Sequence, residues 1–355
     1  MKFEITSTIP GSRALLVEPG RIIGGRGLEL WQWPNDRGPR RIVRFPASIP
    51  ETGLSAWTLT RLGFRLGIHL VLTVGDEECL AVLKRRFVLV RTGGRLIEVD
   101  RVHRGNKPAS RALCAMPAGP ILYGEYLLND DRASAVALYR SDDPARGFRK
   151  IYEFPAGEVR HIHFVQWDPF GSCLWMGTGD RDSESRLYRS DDVGGSWRLA
   201  GGGSQDWRAV GVAFTADALF WGTDAGSDAG GTLNYIMRYD RQDRTLVRVQ
   251  RLQGPAHGIG VLSDGTLIIS TGVEGGINEA DRSAHLWASR DGSLWEEVFA
   301  LSKNRWPGII QFGVMRIPPG TESGSEVVFT GLALRGASET LFRGNLVDDR
   351  TSSAR

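Results

Sequence analysis

The sequence predicts an all-β protein, a β-propeller built from four-stranded blades, and three observations lead to this prediction. Similar tracts recur along the chain at a nearly constant spacing. Each repeat holds four short runs of β-type residues, and helical periodicity is nearly absent. Glycine accounts for 45 of the 355 residues, about twice its ordinary share, as a chain with many tight turns requires.

The clearest recurring tract is an apolar run that ends in a small or polar residue. Its five copies end 49, 49, 50 and 55 residues apart. A second apolar tract precedes each copy and further runs flank it, so that every repeat supplies four strands bounded by Gly, Asp and Ser. Four strands per repeat of this length are typical of propeller blades. The copies are Leu138 to Ser141, Leu187 to Ser190, Met237 to Tyr239, Leu286 to Ser289 and Leu341 to Gly344.

The length of the chain sets the number of blades. A period of about 50 residues divides the 355 residues into seven blades, with six as the alternative. Two N-terminal blades fit residues 11–46 and 62–103, whereas the last blade, 308–346, shows only three runs. We therefore expect the N-terminal segment Lys2 to Thr8 to supply its fourth strand, because closure leaves no sheet edge free. The prediction is a single propeller domain over residues 1–346, followed by a polar tail at 347–355.

Charge and hydropathy exclude two classes of partner. The net charge is only +3, and the densest basic run, Lys84-Arg85-Arg86, is too short to form the basic stripe of a nucleic-acid-binding surface. No window approaches the roughly 18 apolar residues of a membrane span. We therefore expect neither nucleic acid nor membrane as a partner. Since a propeller closed by its own N-terminal strand needs no second chain, a monomer is expected.

The N-terminal segment indicates the cellular compartment in which the protein is expected. MKFEITSTIP has neither the basic start nor the apolar stretch of a secretory signal. The chain as written is thus expected in the cytoplasm, or in the periplasm or outside the cell if a signal was removed earlier.

One tract carries a family resemblance. Ser190-Asp191-Asp192-Val193-Gly194-Gly195-Ser196-Trp197 reads S-x-D-x-G-x-S-W and resembles the Asp-box, or bacterial neuraminidase repeat. Imperfect copies begin at Ser141 and Ser289. In such a tract the carboxylate accepts backbone N–H bonds, a glycine takes a left-handed conformation, and the aromatic fills the gap between strands three and four. In families with this repeat, the Asp-boxes lie on the face opposite the active site.

The resemblance extends over the central blades, from Tyr123 to about Glu274. This stretch looks like bacterial proteins of the glycosyl hydrolase type with these repeats, and more distantly like sialidases. The R-I-P tract that sialidases carry near the N-terminus occurs here as Arg316-Ile317-Pro318, in the last blade. The likeness implies a carbohydrate-active propeller without implying sialic acid as the substrate.

Candidate site residues follow from propeller geometry. If the Asp-box turns mark one face, the starts of first strands and the ends of second strands point to the other face, near the axis. Titratable and aromatic side chains cluster at those positions, and we expect them to meet in one central funnel. They are Glu125, Tyr126, His161, His163, Asp180, Trp207, Arg208, Asp224, His257, Glu274 and Arg335.

The preferred interpretation is a glycoside hydrolase that cleaves a bacterial or acidic polysaccharide or oligosaccharide. Such enzymes pair a protonated carboxyl group with a carboxylate nucleophile or base. Glu125 and Asp180 are the favoured pair, with Tyr126, His161 and His163 as further catalytic candidates. The expected substrate-binding residues are Arg208, Asp224, Trp207, Glu274, His257 and Arg335.

Three alternatives stay open. In a polysaccharide lyase, Tyr126 or a histidine would remove the proton beside a uronate carboxylate, and Arg208 or a metal would neutralise that carboxylate. A non-catalytic propeller would bind a glycan or a protein instead. No cofactor is expected, although His161 and His163, which alternate along one strand and so face the same side, could hold a divalent metal together with Asp180.

Overall fold

The computed structural model of the protein describes residues 1–64, 66–75, 77–117, 119–320 and 325–348, and of residues 51, 52 and 56 the backbone only. These residues form the seven four-stranded antiparallel blades of a propeller. Five blades are separate sheets, and the last two are joined by the pairing of Gly272 and Val273 with Val314 and Gly313. The predicted fold class and the preferred blade number are therefore confirmed. In the first six blades the strands are neighbours in chain order, and in the last blade the N-terminal strand of the chain takes the fourth place.

The first strand, β1 (Lys2–Pro10), belongs to the last blade, and the first three blades follow it along the chain. Blade 1 comprises β2 (Arg13–Glu18), β3 (Arg21–Arg26), β4 (Glu29–Pro34) and β5 (Arg40–Arg44). Blade 2 comprises β6 (Leu70–Thr73), β7 (Cys79–Leu83), β8 (Arg86–Arg91) and β9 (Arg95–Arg101). Blade 3 comprises β10 (Leu113–Ala115), β11 (Ile121–Gly124), β12 (Val136–Ser141) and β13 (Arg149–Phe154).

The remaining four blades repeat this pattern. Blade 4 comprises β14 (His161–Asp168), β15 (Cys173–Gly179), β16 (Arg186–Ser190) and β17 (Arg198–Gly202). Blade 5 comprises β18 (Ala213–Phe214), β19 (Ala218–Gly222), β20 (Tyr235–Asp240) and β21 (Leu246–Arg251). Blade 6 comprises β22 (Ala256–Val261), β23 (Leu267–Val273), β24 (Ser283–Ser289) and β25 (Glu296–Ser302). Blade 7 comprises β26 (Gly313–Arg316), β27 (Glu326–Leu334), β28 (Ala337–Val347) and β1.

The N-terminal strand closes the ring as the sequence predicts. β1 pairs antiparallel with β28 from Lys2 opposite Val347 to Pro10 opposite Thr340. The side chain of Phe3 is buried between the rings of Phe299 and Phe329. The last strand ends at Val347, and most of the predicted tail, residues 349–355, lies outside the described residues.

Two short α-helices between blades 1 and 2 are absent from the sequence-based expectation. They are α1 (Ile49–Ala56) and α2 (Thr58–Gly63). α2 is tied to blade 7, because Arg61 forms a buried ion pair with Glu339 and Leu62 joins an apolar cluster with Val314 and Leu332. Among the described residues, no helix has the length and apolar character of a membrane span.

The turns between third and fourth strands have the local geometry that the repeated tract predicts. In blade 4, Asp192 accepts the backbone N–H of Ser196 at 2.8 Å, and the indole of Trp197 donates to the Gly194 carbonyl at 3.1 Å. Gly194 has a φ of +86°, which glycine adopts without steric cost. In blade 6, Asp291 and Trp295 repeat these bonds. These turns mark one face of the propeller, and we call the opposite face the site face.

Closure by β1 gives a testable contrast between two positions of one strand. Phe3→Ala should lower the free energy of unfolding by about 3–5 kcal/mol, because it empties a packed aromatic site. Ile5→Ala is the matched control, since Ile5 is 46% exposed, and it should cost less than about 0.5 kcal/mol. Urea unfolding measures both. Equal, small effects would show that β1 is not docked against the last blade.

Candidate functional site

Titratable side chains from five blades meet on the site face around the propeller axis. We call this region the central well and define it by Tyr126, Asp180, Arg208, Asp224, His257 and Arg316. Each residue lies within a few positions of the end of a second strand or the start of a first strand. Electrostatic contacts between blades join them: Tyr126 of blade 3 is influenced by Asp180 and Asp224, and His257 of blade 6 by Asp224 and Arg316.

Asp180, directly after β15, is the most heavily bonded acid of the well. Its Oδ1 lies 3.1 Å from His163 Nε2 and 3.1 Å from Arg208 Nη2, and its Oδ2 lies 2.5 Å from Arg160 Nη1. Burial opposes the charged form, but these contacts outweigh it and hold the pKa of Asp180 far below its usual range. The Asp180 carboxyl is therefore ionised at neutral pH and is not suited to be the proton donor of a hydrolase.

Arg160 was not among the sequence-based candidates. It precedes His161 at the start of β14, so the rule that selected His161 also pointed to it. Its guanidinium bridges Asp180 and Asp130.

His161 and His163 come together as predicted and turn their Nε2 atoms toward Asp180. The two Nε2 atoms are 2.9 Å apart, and His161 Nε2 lies 3.6 Å from Asp180 Oδ1. Both imidazoles are only 3% exposed, and burial lowers the pKa of His161. Gly179, opposite His161 in the sheet, makes this arrangement possible, because a Cβ there would lie 2.7 Å from the His163 ring.

Tyr126 stacks over the histidine pair at the mouth of the well. Its ring centroid is 4.1 Å from that of His161, and the residue is 41% exposed. Burial, followed by Asp180 and Asp224, raises the pKa of Tyr126 to about 12. The phenol is therefore protonated at neutral pH and can donate a hydrogen bond.

A second group of three titratable residues comes from blades 5 and 6. His257 Nε2 lies 2.9 Å from Glu274 Oε1, and the nearest ligand atoms of Asp224, His257 and Glu274 all lie within 4.8 Å of one another. Burial opposes the imidazolium, but the bond to Glu274 and the charge of Asp224 raise the pKa of His257. Burial raises the pKa of Asp224 to about 6 despite the nearby Arg208.

Arg208 lies between the two groups. Besides Asp180, it contacts Asp228 at 3.1 Å, and its Nε lies 3.8 Å from Asp224. That Nε is buried without a hydrogen-bond partner, and no described residue donates a hydrogen bond to the Asp224 carboxylate. Buried polar atoms without partners are rare in folded proteins and are typical of sites that receive a ligand.

Arg316, the last residue of β26, is the main residue that the site prediction missed. It is partly buried in the well, and no ion pair or hydrogen bond joins its guanidinium to another described residue. Burial and the charge of Arg13 lower its pKa to about 10, so it is still cationic at neutral pH. The sequence signal existed, since Arg316 begins the R-I-P tract and lies on a first strand.

Arg111 connects three blades at the well. From the start of blade 3 its guanidinium crosses to blades 6 and 7, where it donates to the carbonyls of Ile259 and, at 3.1 Å, Pro318. Burial lowers its pKa to about 10. The guanidinium therefore holds blade 3 to blades 6 and 7.

Glu125 does not lie in the well, contrary to the prediction. Its carboxylate is fully buried and ion-paired with Arg104, and it accepts bonds from the Ala137 N–H at 2.8 Å and the Tyr139 hydroxyl at 3.3 Å. Tyr139 belongs to the apolar cluster between blades 2 and 3. A carboxylate satisfied in this way between two blades stabilises their interface and does not face a substrate.

Trp207 and Arg335 also lie outside the well. Trp207 packs in the cluster between blades 4 and 5, with its ring 5.8 Å from that of Trp221 and 5.9 Å from that of Tyr239. Arg335 lies in the exposed turn between β27 and β28. The remaining substrate-binding candidates, Arg208, Asp224, His257 and Glu274, do come together.

Comparison with known proteins relates the chain to propellers only through solved structures. No family model and no curated protein matches it. An oligogalacturonate lyase in complex with manganese is similar with a TM-score of 0.63 and 10% identity, over 98% of this chain and 96% of that chain. The oligogalacturonate lyase of Vibrio parahaemolyticus has a TM-score of 0.60 and 11% identity, over 98% of both chains.

A third similar structure is part of a larger protein. It is the extracellular domain of a protein of B. thetaiotaomicron described as a one component system, with a TM-score of 0.58 and 10% identity. The match covers 98% of this chain and 40% of that one. At such identities, these similarities establish the propeller fold.

Asp224 and Glu125 can be compared in one test, because no described residue donates a hydrogen bond to the Asp224 carboxylate, whereas that of Glu125 accepts several. Asp224→Asn should raise the free energy of unfolding at pH 7 by about 1–3 kcal/mol, because a carboxyl whose pKa rises from 3.8 to about 6 on folding disfavours folding wherever it is ionised. The wild-type protein should lose this stability as pH rises from about 4 through about 6, and the variant should not.

Glu125→Gln is the counterpart and should cost about 1–3 kcal/mol, because it breaks a buried ion pair and its hydrogen bonds. Urea unfolding between pH 4 and 8 measures both variants. Destabilisation by Asp224→Asn would contradict the assignment of Asp224 as an unsatisfied carboxylate.

Proposed function

We propose that this protein is a lyase that cleaves uronate-containing oligosaccharides by β-elimination at the central well. The observation that carries the proposal is the guanidinium of Arg316, which has no ion-pair or hydrogen-bond partner in the described part of the chain. It lies in the same well as the His257–Glu274 pair and as Asp224, whose carboxylate accepts no hydrogen bond from a described residue. These groups match the two requirements of elimination beside a carboxylate, which are a cation for the carboxylate and a poised proton acceptor.

Arg316 is suited to hold the substrate carboxylate. A guanidinium offers a planar fork of donors that fits a carboxylate bidentately. Arg160 and Arg208 are already engaged by Asp180 and its neighbouring acids, whereas Arg316 has no acidic partner among the described residues. Removal of the weakly acidic C–H proton beside the uronate carboxylate is the main barrier of the reaction. Neutralising the carboxylate makes this proton more acidic.

Asp224 and His257 have the pKa shifts of a base and an acid. With a pKa raised to about 6, Asp224 is largely ionised at neutral pH and basic enough to take a proton. His257, with a raised pKa and held by Glu274, is suited to donate one. Since their ligand atoms lie within 4.8 Å, both can act on one sugar residue.

The bond changes balance without a further reactant. Asp224 takes the proton from C5, beside the carboxylate that Arg316 binds. The C5–H electron pair forms the C4–C5 double bond while the C4–O bond breaks. His257 gives its proton to the departing oxygen, and exchange with solvent restores both side chains. Tyr126, protonated and partly exposed at the mouth, is suited to bind a sugar hydroxyl.

His161 and His163 have a different role from the one expected of them in a lyase. Their Nε2 atoms are directed at Asp180, and both rings are buried. The two similar lyases support the proposal at the level of substrate class. One of them was solved with manganese, and His161, His163 and Asp180 offer a donor set that such an ion accepts.

Hydrolysis is the second candidate, favoured by the same raised pKa of Asp224. A carboxyl that keeps its proton to about pH 6 is what a glycoside hydrolase needs as its general acid. The products distinguish the reactions, because only elimination leaves an unsaturated, ultraviolet-absorbing uronate end.

The proposal predicts both a product and a residue dependence. The protein should convert an oligogalacturonate, or another uronate oligosaccharide of a test panel, to an unsaturated product. Arg316→Gln should lower kcat/KM at least about 100-fold, because it removes the charge that stabilises the developing carbanion. Ultraviolet absorbance and mass spectrometry of the products are the measurements.

Two controls accompany this test. Arg290→Gln, on the opposite face, where Arg290 pairs with Asp348, should leave kcat/KM unchanged. A carboxyl-reduced form of the same oligosaccharide should not be cleaved. Equal rates on the two substrates, with products that lack the double bond, would contradict elimination and favour hydrolysis.

A further inference from the structure

The imidazoles of His161 and His163 have their tautomers fixed by the backbone. His161 Nδ1 lies 3.2 Å from the Leu127 carbonyl, and His163 Nδ1 lies 3.0 Å from the Ala209 carbonyl. A carbonyl oxygen can only accept, so each Nδ1 must carry the proton. Each neutral ring therefore directs an unprotonated Nε2 into the well.

Three acceptors thus converge, and the guanidinium of Arg208, 3.1 Å from Asp180 Oδ1, serves the carboxylate but neither imidazole. The Nε2 atoms are 2.9 Å apart, and Asp180 Oδ1 lies 3.1 Å from one and 3.6 Å from the other. Lone pairs at these distances repel each other unless a positive charge lies among them. A single extra proton on one Nε2 can be directed at only one partner, so the other two atoms still face each other as acceptors 3.1 or 3.6 Å apart.

We propose that His161, His163 and Asp180 form a binding site for one divalent transition-metal ion. Ligand atoms bound about 2.1 Å from one ion in tetrahedral or octahedral geometry lie about 3.0–3.4 Å from each other, close to the separations found here. Two imidazoles and a carboxylate suit Zn²⁺, Mn²⁺, Fe²⁺ or Co²⁺.

The surroundings of the three ligands support this assignment. The two Nδ1–H bonds to carbonyls are the outer-shell contacts that orient metal-binding histidines. Arg160 on Oδ2 and Arg208 on Oδ1 fix the orientation of the Asp180 carboxylate. The inference depends on this geometry alone and not on the proposed reaction, so either can fail without the other.

Metal binding to the full chain tests the inference without any substrate. Chelator-stripped protein should bind one Zn²⁺, Mn²⁺ or Co²⁺ per chain in calorimetry, and Co²⁺ should give a visible spectrum with histidine ligation. His163→Ala should weaken binding at least about 100-fold, since even outer-shell changes cost up to that factor. His161→Gln is the second variant if His163→Ala fails to fold.

Two control variants locate the ion. His285 is buried on blade 6 with Asp281 and Glu297 as partners, and His285→Ala should leave the affinity unchanged. His257→Gln should also leave it unchanged. Loss of binding in His257→Gln with retention in His163→Ala would overturn the assignment, because the ion would then lie at Asp224, His257 and Glu274. Absence of binding of all three ions to the wild-type protein would overturn it as well.

Discussion

The antiparallel pairing of β1 with β28 is the constraint on which the structure depends. Each blade buries its two faces against its neighbours, so an open ring would leave the apolar faces of the first and last blades in water. The N-terminal strand prevents this by completing the last sheet, with Phe3 buried among the aromatic residues of blades 6 and 7. Closure also brings Arg316 of the last blade to the axis, where it meets residues from blades 3 to 6.

The ring concentrates charge where burial is unfavourable to it. Asp180 is stabilised by two arginines, whereas Asp224 has only Arg208, at 3.8 Å, and Arg316 has no ion-pair partner among the described residues. A folded protein does not gain stability from unpaired buried charges. Their presence together in one well is therefore better explained by ligand binding than by folding. The fully satisfied ion pair of Glu125 with Arg104, between two blades, is the structural counterpart.

The repeat made the fold and the location of the site predictable. The spacing of tracts identified the blades, and the missing fourth run of the last blade identified β1 as the closing strand. The same geometry brought Asp180, His161, His163, Arg208, Asp224, His257 and Glu274 into one funnel.

The direction of individual side chains was not predictable in the same way. Glu125 and Tyr126 are adjacent, but the chain leaves its strand there, and only Tyr126 faces the well. Trp207 packs between blades against the rings of Trp221 and Tyr239. Spacing along the chain does not reveal these contacts. The two helices were missed because they lie outside the repeat. Whether a charged side chain finds a partner depends on contacts between distant blades, and the sequence therefore does not show that Arg316 lacks one among the described residues.

A crystal structure of the protein with a non-cleavable uronate disaccharide tests whether the central well binds the substrate. The sugar should occupy the central well, with its carboxylate within hydrogen-bonding distance of Arg316 and its ring next to Asp224 and His257. A sugar bound elsewhere on the propeller, with the well filled only by water, would refute uronate binding at the well.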